Sequence, residues 1–216
     1  MRRHTSGFKR QAAGVRHALS RHAAWRVAIL LLTHLLFREH ALAATCDPGG
    51  DGFERGCQTL EISGLYQAEV WDLNETGDSV AGAAVAFSHA LFDGWILAGE
   101  AIGLRVSQPS PIGHGVGGTA LVRRRFFEWR RVTLFGDAGL GFTYADHPVP
   151  IGGTRFNYLL QAGIGASRSV TRRLAIIGHV RHLHISNNSL AGRTRNPDFR
   201  GMGAQVGMLF KLKIED

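Results

Sequence analysis

Between Val132 and Tyr144 the chain reads VTLFGDAGLGFTY, and the order of those side chains decides the fold. In an extended chain successive side chains point to opposite faces. Val132, Leu134, Ala138, Leu140, Phe142 and Tyr144 then share one face, and Thr133, Asp137, Gly139 and Thr143 share the other. The next segment repeats the pattern, with Phe156, Tyr158, Leu160, Ala162 and Ile164 opposite Arg155, Asn157, Gln161 and Ser167. An earlier one places Leu60, Ile62, Tyr66 and Val70 against Glu61, Ser63, Gln67 and Glu69. Apolar residues recurring at a period of two mark strands, not amphipathic helices.

Working outward from these three, the sequence predicts eight extended segments, at 59–72, 79–91, 95–106, 115–127, 130–144, 154–169, 172–187 and 199–211. Segments two to four alternate less cleanly, and Glu100 falls on the same parity as Ile96 and Ile102. The connections alternate in length. Short turns are expected at Phe92-Asp93-Gly94, Glu128-Trp129 and Val170-Thr171. Longer loops are expected at Asn74 to Asp78, Ser107 to His114, Asp146 to Gly153 and Asn188 to Pro197, and five of the six prolines sit in these stretches. Tight turns at one end and long loops at the other, with an apolar outer face, are the marks of a transmembrane β-barrel with its N-terminus in the periplasm. Backbone groups in lipid are all paired only if the sheet closes, so the expected fold is all-β, an eight-stranded antiparallel outer-membrane barrel spanning 59–216. Eight strands enclose a lumen that side chains fill, which argues against a pore. Its expected lining includes Glu61, Glu69 and Asp137 with Arg155, His179 and Arg181, charges that neutralise one another away from lipid.

The charge of the chain is unevenly placed. Residues 1–43 hold Lys9 and seven arginines against Glu39 alone, so the remaining residues carry 25 − 8 = 17 basic and 17 − 1 = 16 acidic side chains. The formal net charge of +8 therefore belongs almost wholly to the leader, and no nucleic-acid partner is expected. That leader has a basic stretch, an apolar run from Val27 to Phe37 and the small-x-small sequence Ala41-Leu42-Ala43. It reads as a cleaved signal peptide, since the apolar run is about half of the roughly 20 residues that a membrane-spanning helix needs. A periplasmic N-terminal segment, 44–58, follows. It contains Cys46 and Cys57, the only cysteines, which export makes candidates for a disulfide. A lipid-modified Cys46 is the alternative, disfavoured by Thr45 at the position before it.

The segment Leu174 to Asn187 carries the chemistry. Its outward parity, Leu174, Ile176, Gly178, Val180, His182, His184, Ser186, begins apolar and ends with an imidazole and a hydroxyl two residues apart. A lipid-facing position is an odd one for inert polar groups, and a Ser beside a His can become a nucleophile if an acid orients the imidazole and a donor holds the oxyanion. By itself H-x-S is a short motif, and polar residues that meet lipid headgroups would produce it too. No metal site is expected, because His182 and His184 lack a third ligand.

The run Gly178-His-Val-Arg-His-Leu-His184-Ile-Ser186-Asn187, followed by Asn196-Pro197, resembles the PagL-type lipid A 3-O-deacylases, outer-membrane barrels of eight strands. Pro150-Ile-Gly-Gly-Thr154-Arg-Phe156-Asn157-Tyr158 and Gln161-Ala-Gly-Ile-Gly165 carry the same resemblance upstream. The likeness is strongest from about residue 134 to 210. It implies a serine esterase of the outer membrane that removes the 3-hydroxyacyl chain at position 3 of lipid A in lipopolysaccharide, with no cofactor. Carried over, Ser186 is the nucleophile, His184 the general base and Asn187 an oxyanion contributor. The sequence departs from the family pattern at the acid, where the aligned position holds Arg200 and the nearest carboxylate is Asp198. A β-hairpin register in which paired numbers sum to an even value places Asp198, Arg200 and Met202 on the face of His184 and Ser186. Asp198 is then the expected acid and Arg200 a substrate-binding cation. The chain also runs on from Phe210 to Asp216, where such barrels usually end on the aromatic residue. A non-enzymatic adhesion or envelope barrel and an esterase acting on phospholipid are the competing readings, and a homodimer is an open question for these residues.

Overall fold

The computed structural model describes residues 46–47, 50–70, 77–192 and 196–212. The expected leader, most of the first long loop and the last four residues lie outside that set. Eight strands follow one another as β1 (Gln58–Glu69), β2 (Ser79–Phe92), β3 (Trp95–Ser107), β4 (Gly113–Trp129), β5 (Val132–Val149), β6 (Thr154–Ser169), β7 (Leu174–Ser186) and β8 (Phe199–Leu212). Each pairs antiparallel with the next, and β1 pairs with β8, so the sheet closes on itself. Every strand expected from the sequence is present, with ends displaced by a few residues.

The turns differ in detail from the expectation. Trp129 pairs with Val132, so the β4–β5 turn is Arg130-Arg131, two residues later than Glu128-Trp129. The extra length is taken up by a bulge between Arg125 and Phe127. At the β2–β3 turn Gly94 has φ +80°, a left-handed conformation that glycine adopts without a steric penalty. The β6–β7 turn is longer than Val170-Thr171, because β7 begins only at Leu174. β5 continues through Pro148 to Val149 after an irregularity past Tyr144, which shortens the loop expected at Asp146 to Gly153.

The distribution of side chains is inverted relative to a water-soluble domain. Ile164 is 64% exposed on the outer wall, whereas Arg181 is 1% exposed inside. Apolar residues cover the outside because the solvent there is hydrocarbon, and aromatic side chains mark the two edges of that band. Phe92, Trp95, Phe126, Phe127 and Trp129 form the edge near the short turns; Tyr66, Phe142, Tyr144, Phe156 and Tyr158 form the other.

The lumen is filled in layers. Toward the long loops lie Leu65, Val80, Leu104, Leu159, Leu183 and Phe199, and toward the short turns lie Ile96, Leu121, Phe135, Ile177 and Leu209. An ionic layer separates them. Arg181 donates to Asp137 at 2.6 Å, Glu100 at 3.2 Å and Gln205 at 2.8 Å. Arg123 meets Glu61 at 3.1 Å and Asp137 at 3.4 Å, and His179 lies between the same two carboxylates at 3.1 and 3.2 Å. Gly163 on β6 and Gly203 on β8 flank Arg181 in register. A Cβ on Gly163 would collide with the Val180 carbonyl oxygen and lie 2.7 Å from the Arg181 Cγ, so the missing side chain leaves room for both the β7 backbone and the guanidinium stem. Two expected members are absent from this layer. Arg155 is exposed near the start of β6, and Glu69 sits at the rim, accepting the Asp78 backbone N–H at 3.1 Å. Arg123 and Glu100 take their places.

Cys46 and Cys57 are joined in a disulfide, and the loop they close folds back into the short-turn mouth. Phe53 packs on Phe135 with ring centroids 5.9 Å apart. Asp51 accepts from Arg125 at 3.0 Å and Thr133 at 2.9 Å, and Lys211 donates to the Gly50 carbonyl. Backbone bonds from Gly56 to Ala90 and from Gly94 to Phe53 tie the loop to the β2–β3 hairpin. The described residues of the segment 44–58 thus plug that mouth of the barrel.

Candidate active site

The site lies on the outer wall where β7 ends and β8 begins. All β7–β8 partners sum to an even number, with His184 opposite Arg200 and His182 opposite Met202. The expected parity therefore holds. On the other flank Ser186 pairs with Tyr158 and His184 with Leu160. Because the strand alternates, His182, His184 and Ser186 emerge on the side that carries Ile176 and Val180, at the long-loop end of the apolar band.

The Ser186 hydroxyl and the His184 Nε2 are 3.0 Å apart, so the hydroxyl can donate to the ring nitrogen. In that tautomer the proton is on Nδ1, which faces Asp198 Oδ2 at 3.8 Å. This gap is within ion-pair range and too long for a hydrogen bond. The same Oδ2 accepts a 2.7 Å bond from the Arg200 Nε. One carboxylate oxygen thus stands between a guanidinium that holds it and an imidazole that does not.

Asn187 is 1% exposed, and its backbone N–H donates to the Asn196 Oδ1 at 3.1 Å. Beyond it Asn188 and Ser189 take left-handed backbone conformations, φ 50° and 61°, which turn the chain sharply away from the strand. Asn196 therefore has a positional role that the Asn-Pro motif signalled without explaining. Ser186 is itself only 8% exposed, sheltered beside Tyr158. Phe156 lies edge-on to Tyr158 at 5.8 Å and stacks on Phe142 at 6.2 Å. Below the hydroxyl a groove of about 760 Å³ opens on the outer wall, lined by Ala138, Leu160, Ala162, His182, His184 and Arg200 among others. The small Ala138 and Ala162 create it between larger outward neighbours.

A family profile described as lipid A 3-O-deacylase (PagL) matches residues 60–199, well over half of the chain. The chain belongs to the PagL family of lipid A 3-O-deacylases. The span that matches PagL takes in His184, Ser186, Asn187 and Asp198 and stops one residue before Arg200. Among solved structures the chain is similar to the outer membrane protein OprG from Pseudomonas aeruginosa, with a TM-score of 0.50 and 11% identity over 76% of this chain and 99% of that one. It is also similar to the outer membrane enzyme PagL, with a TM-score of 0.44 and 15% identity over 74% of this chain and 99% of that one. The likeness to OprG speaks to the barrel fold alone. No curated protein sequence matches the chain.

Proposed function

We propose that the protein is an outer-membrane serine esterase that hydrolyses the 3-hydroxyacyl ester at position 3 of lipid A, with the long-loop end and its site facing the outer leaflet. The observation that carries this reading is the 3.0 Å contact between Ser186 and His184 on a wall that faces lipid, at the head of an apolar groove. An ester of a membrane-resident substrate reaches such a site laterally, its acyl chain in the groove and its sugar at the aromatic edge.

In this mechanism Ser186 Oγ attacks the ester carbonyl carbon while His184 Nε2 takes its proton. Asn187 contributes to holding the oxyanion of the tetrahedral intermediate. Collapse breaks the bond to the sugar oxygen, which leaves with the proton from His184. Water, deprotonated in turn by His184, then frees the 3-hydroxy fatty acid from Ser186. Asp198 is the acceptor that steadies the imidazolium, after a movement of about 1 Å brings it to charge-assisted hydrogen-bond distance. Arg200 cannot serve, since guanidinium has no acceptor.

The test is mass spectrometry of lipid A and phospholipids from cells that express the wild-type chain or Ser186→Ala. The expected outcome is lipid A lacking one 3-hydroxyacyl chain with wild type only, the variant retaining the heat-modifiable gel mobility of a folded barrel. Unchanged lipid A with shortened phospholipids would make phospholipid the substrate, and deacylation by Ser186→Ala would remove the serine from the mechanism.

A further inference from the structure

Among the described residues, Asp198 Oδ2 faces both Arg200 Nε at 2.7 Å and His184 Nδ1 at 3.8 Å. Resting on the proposed esterase function, we propose that Arg200 makes the enzyme selective for acyl sugars that carry a phosphate near the scissile ester, because the phosphate takes the guanidinium and releases Asp198 to His184. Three features of the site carry this.

The first is register. Arg200 pairs with His184, and Asp198 lies one rung nearer the long loops, so the Arg200 side chain has risen toward the rim to reach it. That direction carries the guanidinium toward the headgroup layer, as long cationic side chains do at a membrane edge. The second is spare capacity. The bond to Asp198 uses Nε alone, no described residue accepts from the two terminal nitrogens, and the side chain is 42% exposed. A guanidinium presents a planar fork that matches a phosphate in a two-bond arrangement. The third is charge. With Arg200 on Asp198, the carboxylate is held short of hydrogen-bond distance to His184 and supports the imidazolium of the transition state less than it would in direct contact, while the Arg200 cation beside the imidazole opposes it. A phosphate dianion on Arg200 offsets that cation and frees the acceptor, so its effect falls on the chemical step as well as on binding. Among the described residues that line the groove Arg200 is the sole Arg or Lys. Arg200 is in this scheme a specificity-determining residue that acts through Asp198.

The experiment compares the folded chain in detergent micelles on two substrates, phosphorylated lipid A and the same lipid A after enzymatic removal of its phosphates. For wild type kcat is expected to be at least about tenfold higher on the phosphorylated substrate, beyond any change in KM. Arg200→Gln is expected to raise kcat on the dephosphorylated substrate at least about threefold and to erase the preference, while Asp198→Asn is slow on both. Equal kcat on the two substrates in wild type overturns the proposal without any variant. So does a loss of equal factor on both substrates in Arg200→Gln, which would make Arg200 a prop for Asp198. A change confined to KM for the phosphorylated substrate overturns it too, as simple binding. Ser186→Ala is run alongside: turnover there would bring down the esterase mechanism itself, a failure distinct from equal kcat in an enzyme that depends on Ser186.

Discussion

Asp198→Asn keeps the size of the side chain and the ability to accept one bond but removes the charge that stabilises the His184 imidazolium. The expected cost is at least about tenfold in kcat, or about 1.4 kcal/mol of transition-state stabilisation, read from release of 3-hydroxy fatty acid with folding checked by gel mobility. A silent Asp198→Asn would mean that this chain works without an acid in the usual place. At this scale the sequence was most informative where chemistry is tied to parity. His184 and Ser186 share a face of β7, and Arg200 and Met202 share it across the paired β8, with Asp198 one residue ahead of that strand on the same parity; a period of two is readable from residue types alone. What parity does not encode is distance along a side chain. That Arg200 bends back onto Asp198, and that Asn196 caps the backbone of Asn187, depend on rotamers and on the left-handed turn at Asn188 and Ser189, which leave no mark in a hydropathy pattern.

Among the elements, β1, β5 and β6 were legible because their inner faces are largely polar and their outer faces apolar, so the contrast is large. β3 was harder for a physical reason. Its lumen face carries Ile96, Ala98, Ile102, Leu104 and Val106 around a single Glu100, while its outer face mixes Trp95 and Leu97 with Gly99, Ala101, Gly103 and Arg105, so neither side contrasts with the other. The plug was invisible to periodicity because it has none. Its hold comes from Phe53 on Phe135, Asp51 on Arg125 and Thr133, and the Cys46–Cys57 bond. Closing a loop of this size by a disulfide contributes about 2–3 kcal/mol in the chain-entropy account. Cys46→Ser/Cys57→Ser is therefore expected to unfold at a lower temperature in a heat-modifiability series while keeping wild-type deacylation at 25 °C, since the plug lies at the end of the barrel remote from Ser186. Equal midpoints, with and without reductant, would show that the packing of Phe53 suffices to seat the loop.

Across the whole molecule the ionic layer is the feature most sensitive to a single change. Arg181 satisfies Asp137, Glu100 and Gln205 at once in a space cleared by Gly163. Arg181→Met fills part of that volume but strands buried carboxylates, a loss expected at about 3–5 kcal/mol, enough to keep much of the chain from reaching the heat-modifiable form. Combining it with Asp137→Asn and Glu100→Gln should recover part of the folded yield, because the unpaired charges go with it; no recovery would point to packing around the stem as the larger contribution. The position of the site on the outer wall has a kinetic consequence as well. A pocket that opens sideways into the apolar band samples only substrate dissolved in the same film, so the relevant concentration is a mole fraction within the membrane or micelle and not an amount per litre. Adding inert detergent at fixed enzyme and lipopolysaccharide should slow the reaction in proportion to the dilution of substrate in the micelle surface. Rates that follow bulk concentration alone would mean that lipid A arrives from water. Under surface control the same enzyme would look sluggish in a dilute micelle and fast in a lipopolysaccharide-rich leaflet, so the composition of the film would set its turnover with no change in the protein.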